Sequence, residues 1–177
     1  DDIGHVKYFL SNDPGGRMNA SMKRLADALR EPGQPGTLFG AIEAEAQALV
    51  GHRLFTLLYV DGQDVARIYS SNAVAYPVSG RKTMGPTPWG THVLIEKRPY
   101  LGRDAAAIRW AFFDHELIAS LGLGSVINIP IVYDGHAIGT MNLLDAEHHY
   151  KETHVPVVAE LAFALVPAML EARRRPQ

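Results

Sequence analysis

The sequence predicts an α+β fold, in which an antiparallel β-sheet carries long helices on one face and short helices and loops on the other. Two hairpin patterns, at residues 54–71 and 125–144, predict the sheet. Long amphipathic stretches towards the two ends of the chain predict the helices. Because 47% of the 177 residues are hydrophobic, the chain can build the core of one domain.

The first part of the chain divides into an arm, a short helix and a linker. Residues 1–17 show little pattern, and we interpret them as a flexible N-terminal arm or a leader foreign to the natural protein. Residues 18–30 have helical apolar spacing, and the Pro- and Gly-rich segment up to residue 36 ends that helix. The main domain is therefore predicted over residues 37–177, beginning with a helix that Thr37 caps and Gly51 ends.

The middle of the chain predicts a hairpin, a long loop and short helices. Strands over residues 54–60 and 65–71 flank a turn, and the Gly- and Pro-rich residues 72–90 form a long structured loop. Thr87 and Pro88 begin a helix that extends to residue 96. A turn then leads into a short strand near residue 101, and residues 105–121 predict a helical region that breaks near Phe113.

The second hairpin yields a prediction of strand register. Asp134 and Gly135 suit a two-residue type I′ turn, which requires positive φ at both positions. This turn pairs Ile129 with Thr140 and Ile127 with Asn142, and alternation then assigns each side chain to a face. One face receives Ile127, Ile129, Ile131, Ile138, Thr140, Asn142 and Leu144. The other receives Val126, Asn128, Pro130, Val132, Gly139 and Met141, so the two asparagines are predicted to lie on opposite faces.

A helix from residue 153 to about residue 174 closes the chain, and Pro167 is expected to bend it. It carries two apolar stripes, of which one suffices for packing on a sheet. The second stripe is covered either by the early helices of the same chain or by a second copy in a homodimer, and the pattern leaves both open. The stripes are Val158, Ala162, Leu165 and Met169, and Val157, Leu161, Ala164 and Ala168.

An ordered set of motifs over residues 37–172 resembles the GAF domain family. The motifs are Trp89-Gly90 with Val93, Glu96-Lys97-Arg98-Pro99-Tyr100-Leu101, Leu121-Gly122-Leu123-Gly124-Ser125, Val126-Ile127-Asn128-Ile129-Pro130 and Ile138-Gly139-Thr140-Met141-Asn142-Leu143. The resemblance implies a GAF-like, PAS-related sheet. It also implies a ligand pocket on the face opposite the terminal helices, beneath the long loop and the short helices.

The resemblance implies ligand-binding residues by position. They are Tyr76, Arg81, Lys82 and Trp89 from the roof, with Trp110 or Phe113 as further candidates, and Ile127, Ile129, Thr140 and Asn142 from the sheet. Asn142 is favoured over Asn128 because some enzymatic members of the family carry a functional acid at that place. Arg81 and Lys82 beside aromatic side chains suit an anionic ligand. The alternative is that the aromatic side chains are core and the two cations are solvated.

These features together predict a small-molecule-binding sensory or regulatory module. Its ligand is expected to be a small polar or anionic metabolite or an aromatic acid, and its signal to pass through a homodimer of the terminal helices or a separate output protein. A ligand-free dimerisation or scaffold domain and an enzyme of unknown reaction remain alternatives. The chain has no cysteine, so it lacks the thiols on which the free methionine-(R)-sulfoxide reductases of this fold depend.

Composition disfavours other classes of partner. A net charge of −2 with both signs dispersed gives no reason to expect nucleic acid or an anionic membrane as a partner. No unbroken apolar run reaches the roughly 20 residues of a membrane helix, and a cytoplasmic location is expected. No cofactor is expected. The segment after the last strand is expected to be a hydrophilic loop, although it contains possible metal ligands in Asp145, Glu147, His148, His149, Glu152 and His154.

Overall fold

The computed structural model describes residues 14–78 and 82–174, and it confirms the α+β architecture. The helices are α1 (Pro14–Ala28), α2 (Gly36–Leu49), α3 (Pro88–Gly90), α4 (Ala105–Ala111), α5 (His115–Ser120), α6 (His154–Ala162) and α7 (Val166–Arg174). The strands are β1 (Leu54–Asp61), β2 (Asp64–Ser70), β3 (Lys82–Thr83), β4 (Tyr100–Gly102), β5 (Ser125–Tyr133) and β6 (His136–Asp145). A π-helix (Thr91–Ile95) continues α3, and a 3₁₀ turn (Phe163–Leu165) separates α6 from α7.

The six strands form one antiparallel sheet in the order β3-β2-β1-β6-β5-β4. Side chains of α1, α2, α6 and α7 join one face of the sheet in the larger of two apolar clusters. The smaller cluster lies on the other face, where Ile108 of α4 and Ile118 of α5 meet Leu54, Val126 and Leu144 of the strands. The long and the short helices are therefore on opposite faces, as predicted.

Most local turn and capping signals are confirmed, but Thr37 does not cap α2, which begins one residue earlier at Gly36, and the Thr37 hydroxyl donates instead to the backbone oxygen of Pro32. The hydroxyl of Thr87 accepts a hydrogen bond from the backbone N–H of Gly90 at 2.9 Å, which caps α3. Gly51 ends α2 with a φ of +75°. Asp134 and Gly135 have φ values of 48° and 74°, as a type I′ turn requires. At the N-terminus, α1 begins at Pro14, inside the predicted arm, whose residues 1–13 lie outside the described part of the chain.

The predicted register of the second hairpin is wrong, because β6 contains a bulge. Ile131 pairs with Gly139 and Val132 with Ala137, so Ile138 has no partner on β5. Beyond this extra residue, Asn128 lies opposite Asn142 and Ile129 opposite Met141. The two asparagines therefore share one face, in contrast to the prediction.

The two apolar stripes of the terminal helices are buried within the chain except for Val157, which is partly exposed. Leu161, Ala164 and Ala168 of the second stripe are at most 5% exposed, and they share a cluster with Leu38 and Ile42 of α2. The early helices thus cover this stripe, which removes the stripe as an argument for a homodimer. The dimer itself stays a prediction.

Pro167 interrupts the terminal helix, as predicted. It offers no N–H to the carbonyl group four residues earlier, and the 3₁₀ turn at Phe163–Leu165 occupies that position.

The whole segment His154–Arg174 is long and apolar enough to cross a membrane by length and composition. Glu160 interrupts the apolar run, which is why the sequence predicted no such segment. The mean hydropathy of the segment is high even with its polar residues included. Many of its apolar residues belong to the core cluster shared with the sheet and α2, whereas Phe163 is 65% exposed.

Helix α1 is joined to α2 by an ion pair between the buried carboxylate of Glu45 and the exposed side chain of Arg24. Arg24 donates to both oxygens of the Glu45 carboxylate, and the hydroxyl of Ser21 donates to Glu45 Oε2 at 2.6 Å. The hydrogen bond from Arg24 holds the pKa of Glu45 below its usual range, against the opposing effect of burial. This contact holds α1 against α2, which itself packs on the terminal helices.

Candidate functional site

A row of buried polar side chains crosses the sheet beneath the short helices. Thr56, Asn142 and Asn128 are cross-strand neighbours on β1, β6 and β5, and each is at most 6% exposed. Asn128 Nδ2 donates to Asn142 Oδ1 at 2.8 Å, and Asn142 Nδ2 donates to Thr56 Oγ1 at 3.2 Å. Polar groups this deeply buried are stable only when they are hydrogen-bonded, and the row satisfies this requirement.

Trp89 of α3 fixes the direction of this polar row. Its indole Nε1–H donates to Asn128 Oδ1 at 3.0 Å. Because an indole can only donate, Asn128 must present its oxygen to Trp89 and its nitrogen to Asn142, and the same order passes on to Thr56. Thr56 therefore accepts at the end of the row, which leaves its own hydroxyl hydrogen able to bind an acceptor above the sheet.

A cavity of about 190 Å³ lies between this part of the sheet and the roof of short helices. Apolar side chains dominate its walls, with Trp89 and Phe112 in contact at a ring-centroid distance of 5.9 Å. The polar row forms part of the floor. The lining residues are Leu54, Thr56, Leu58, Val65, Arg67, Tyr76, Met84, Thr87, Trp89, Ala111, Phe112, Phe113, Asp114, Ile118, Asn128, Asn142 and Leu144.

Arg67 of β2 supplies a cation to the cavity wall. Its Nη1 donates to the backbone oxygen of Pro77 at 3.0 Å, and its guanidinium carbon lies 4.8 Å from the centre of the Tyr76 ring. Its Nε is buried and has no hydrogen-bond partner in the described part of the chain. Burial lowers the pKa of Arg67 from its ordinary value, although the fields of Tyr76 and Asp114 oppose this effect.

Bulges position side chains of both hairpins at this site. In the first hairpin, Leu57 pairs with Tyr69 and Leu58 with Arg67, so Ile68 is extra. Arg67 therefore points to the cavity, while Tyr69 packs against Phe39 and Phe55 on the helix-covered face. Regular alternation would place Arg67 and Tyr69 on the same face.

Tyr76 and Asp114 close the side of the cavity next to Arg67. The Tyr76 hydroxyl donates to Asp114 Oδ2 at 2.9 Å, which joins the long loop to the beginning of α5. Burial and the Asp114 carboxylate raise the pKa of Tyr76, so this hydroxyl remains a donor. The loop is thus held over the cavity by a side chain that the sequence had singled out.

The structure brings together three of the predicted ligand-binding residues. Tyr76, Trp89 and Asn142 line the cavity. Ile127 and Ile129 lie in the core on the opposite face, so their predicted orientation is wrong, because the β6 bulge shifts the register.

The other predicted residues fall elsewhere or cannot be compared. Thr140 is on the cavity face, where it pairs with Leu58 and Pro130, but it is fully buried and its hydroxyl has no partner in the described chain. Arg81 and the side chain of Lys82 lie outside the described residues. Phe113 is at the cavity and 87% exposed, whereas Trp110 stacks on Tyr100 outside it.

Sequence reasoning missed Arg67, Thr56 and Asn128. The pattern of β2 gives Arg67 the appearance of an ordinary solvent-exposed strand residue, and its burial depends on the loop that folds over it. Asn128 was assigned to the wrong face by the predicted register. A signal for the bulge was present in the sequence, because the isolated Gly139 favours one and because regular alternation would place Ile138 and Met141 on opposite faces.

The histidine-rich segment after β6 is engaged in structural contacts. Arg53 Nε lies 3.1 Å from Asp145 Oδ1, and Arg103 pairs with Glu152. His149 Nε2 lies 2.8 Å from the backbone oxygen of Val50. Within residues 14–78 and 82–174, no three His, Asp or Glu side chains converge as metal ligands.

A larger depression of about 710 Å³ lies at the tip of the second hairpin, near Lys97, His136 and Arg173. Arg173 is paired there with Asp61 at 3.0 Å, and Lys97 donates to the backbone of Ile95. Because exposed turn residues line much of this depression, the smaller cavity above the polar row is the better candidate for a binding site.

Comparisons with known proteins agree with this architecture. The sequence profile of the GAF domain matches residues 35–169. No curated protein matches the chain. Among solved structures, the GAF domain of a phosphoenolpyruvate-protein phosphotransferase from Coxiella burnetii superposes with a TM-score of 0.70 at 17% identity, over 92% of this chain and 97% of that one.

Two further solved structures show how widely the fold is used. The GAF domain of a two-component sensor histidine kinase from Bacillus halodurans has a TM-score of 0.63 at 11% identity, over 79% of this chain and 95% of that one. A free methionine-R-sulfoxide reductase from Neisseria meningitidis, solved with its substrate, has a TM-score of 0.66 at 18% identity, over 97% and 99%. At such identities the likeness concerns the fold alone.

Proposed function

This chain belongs to the GAF domain family, and from that premise we propose that it is a sensory or regulatory module that binds a small molecule in the cavity beneath Trp89. One observation carries the proposal. The cavity combines apolar walls with a few convergent polar groups, which is the usual composition of a small-molecule site.

The polar groups of the cavity suit recognition better than bond-making chemistry. The amides of Asn128 and Asn142 are engaged with each other, and the Asp114 carboxylate accepts the Tyr76 hydroxyl. Among the described groups, the hydroxyl hydrogen of Thr56 and the Nε of Arg67 are available to a ligand. Both are hydrogen-bond donors, so the ligand of this proposal is polar and carries acceptor atoms.

The proposal includes a route from ligand to signal. A ligand under Trp89 contacts roof segments that are joined to one another, since Tyr76 of the long loop binds Asp114 at the start of α5. A change in the roof is passed to a second copy of the chain or to a separate output protein. The homodimer, the output protein and the cytoplasmic location stay predictions.

A melting experiment with a panel of metabolites tests the proposal. A ligand at 100 times its Kd stabilises the native state by about 2.7 kcal/mol. At about 2–4 °C per kcal/mol for a chain of this size, the melting temperature rises by about 5–11 °C. Asn142→Leu and Lys82→Ala, both predicted to act on the ligand, are expected to reduce this rise and to keep the fold.

A cavity-filling pair of variants locates the binding site. Leu58→Phe adds volume inside the cavity, whereas Val132→Phe adds the same type of side chain on an exposed part of the sheet. We expect Leu58→Phe to lose the ligand-dependent rise and Val132→Phe to retain it. An equal rise in both variants would place the ligand elsewhere. No rise with any metabolite would favour the ligand-free scaffold domain.

A further inference from the structure

We propose that the ligand is a small aromatic monocarboxylate, with its single ring under Trp89 and its carboxylate on Arg67. This inference rests on the proposed function and assigns the ligand class of the same cavity. Three features of the structure support it. They are the unpartnered nitrogen of Arg67, the hydrogen bond that Asp114 accepts from Tyr76, and the volume and walls of the cavity.

Arg67 requires an anionic or strongly accepting partner. Its guanidinium is half-buried against Tyr76, and only its Nη1 has a described hydrogen bond, to the oxygen of Pro77. The buried Nε has no acceptor in the described part of the chain. Because a guanidinium matches a carboxylate with parallel N–H donors, a carboxylate at the Nε edge supplies the missing acceptor.

Asp114 does not take this role within the chain. It lines the same cavity, but its Oδ2 accepts the hydroxyl of Tyr76, and no ion pair joins it to Arg67 among the described residues. Its negative charge disfavours a ligand with two carboxylates, since the second would have to approach an existing carboxylate in a small cavity. The proposal is therefore limited to a monoanion.

The size of the cavity selects a single ring. A cavity of about 150 Å³ with apolar walls is known to accommodate benzene. The cavity here has about 190 Å³, which leaves room for one small substituent such as a carboxylate. Sites for drug-sized ligands typically have about 300–1,000 Å³, so the volume here favours a single ring over a nucleotide.

The cavity walls favour an aromatic ring over a flexible chain. Trp89 and Phe112 are in contact with their planes at 49°, and Leu54, Ile118 and Leu144 add further apolar side chains to the walls. A rigid ring loses little conformational entropy on entering such a space and makes favourable contacts with tilted rings. The free hydroxyl hydrogen of Thr56 then provides a donor for an acceptor substituent on the ring.

The test compares binding of benzoate, 4-hydroxybenzoate, neutral benzamide and cationic benzylamine by titration calorimetry and melting temperature. We expect both carboxylates to bind, and benzamide and benzylamine to bind at least tenfold more weakly. Arg67→Gln should weaken the carboxylates at least tenfold, while Arg67→Lys should retain part of the affinity because it keeps the charge. Arg109→Gln, at an exposed arginine of α4, is the matched control and should bind as the unaltered chain does.

Each outcome bears on a defined part of the reasoning. Equal binding of benzoate and benzamide, or unchanged benzoate affinity in a folded Arg67→Gln variant, would overturn the role of Arg67 and leave the proposed function standing. Failure of both carboxylates while another metabolite binds would overturn the ligand class alone. If nothing binds, including the metabolite panel, both proposals fail. Far-UV circular dichroism and the unliganded melting temperature establish that the Arg67 variants fold, and Arg67→Lys provides a second test should Arg67→Gln not fold.

Discussion

Replacing Asn142 and Asn128 by leucine, singly and together, tests the polar row on which the site is built. Asn142→Leu removes the acceptor of Asn128 Nδ2 and the donor to Thr56, and Asn128→Leu removes the acceptor of the Trp89 indole. A buried group left without its partner costs about 1–3 kcal/mol. Each single variant is therefore expected to lose about 2 kcal/mol of unfolding free energy, or about 4–8 °C in melting temperature.

The double variant distinguishes a hydrogen-bonded pair from two independent polar residues. With both amides absent, neither leaves the other unpaired, so the double variant should lose less than the sum of the single losses. We expect a coupling free energy of about 0.5–3 kcal/mol. Urea unfolding at neutral pH measures all four proteins, and Asn19→Leu on the exposed side of α1 serves as a control that should stay within about 0.5 kcal/mol. Losses that add within about 0.3 kcal/mol would refute the hydrogen bond between the two amides.

Three further predictions concern the packing at Gly139, the unpartnered hydroxyl of Thr140 and the partly buried phenol of Tyr69. Gly139→Ala should lower the unfolding free energy in urea by about 1–3 kcal/mol, since its Cβ would lie 2.6 Å from a carbonyl oxygen of β1. As a control, Gly40→Ala in α2 meets no atom within 4 Å and should raise the unfolding free energy by up to about 1 kcal/mol. A loss in both variants would refute the packing argument. Thr140→Val removes a buried hydroxyl without a partner in the described chain, so its unfolding free energy should be unchanged or higher, and a clear loss would reveal a hydrogen bond. Burial and the Glu43 carboxylate of α2 raise the pKa of Tyr69 from 10.0 to about 12. The contribution of Tyr69 to the unfolding free energy is therefore complete below pH 10 and is lost as the pH rises through 12. Tyr69→Phe should flatten the dependence of the unfolding free energy on pH in this range, and an unchanged dependence would contradict the assignment.

Local chemistry made most elements of the fold predictable. The turn at Asp134 and Gly135, the cap at Thr87 and the end of α2 at Gly51 each depend on a few adjacent residues. The break between α4 and α5 and the interruption before Pro167 were predicted for the same reason. Such features require only the conformational preferences of the residues that form them.

The register of the second hairpin was predicted wrongly, because the exact position of its bulge is decided by contacts between distant residues. Gly139 lies against the carbonyl oxygen of Leu58 and the sulfur of Met169, neither of which is near it in sequence. In the sequence, Gly139 and the three-residue spacing between Ile138 and Met141 favour a bulge but do not specify which residue is extra. The position of the bulge is specified only when β1 and α7 are in place.

The candidate cation of the site was missed for a similar reason. Arg67 is buried because the bulge at Ile68 separates its face from that of Tyr69 and because the loop carrying Tyr76 packs on its guanidinium. The sequence instead drew attention to Arg81 and Lys82, whose neighbourhood in the chain contains aromatic residues. Where a long loop folds back on a sheet, closeness in the sequence does not indicate which cation lies beside the aromatic residues of the site.

The bulge in β6 also affects how this hairpin can change in evolution. Since Ile138 has no partner on β5, a relative that lacks one residue here can keep Asn128 opposite Asn142 and Ile129 opposite Met141. Loss or gain of one residue between Gly139 and Asn142 would instead exchange the cavity-facing and core-facing side chains. Length variation is thus tolerated at the tip of the hairpin and not at its base, and an alignment of related chains should place a one-residue gap at Ile138.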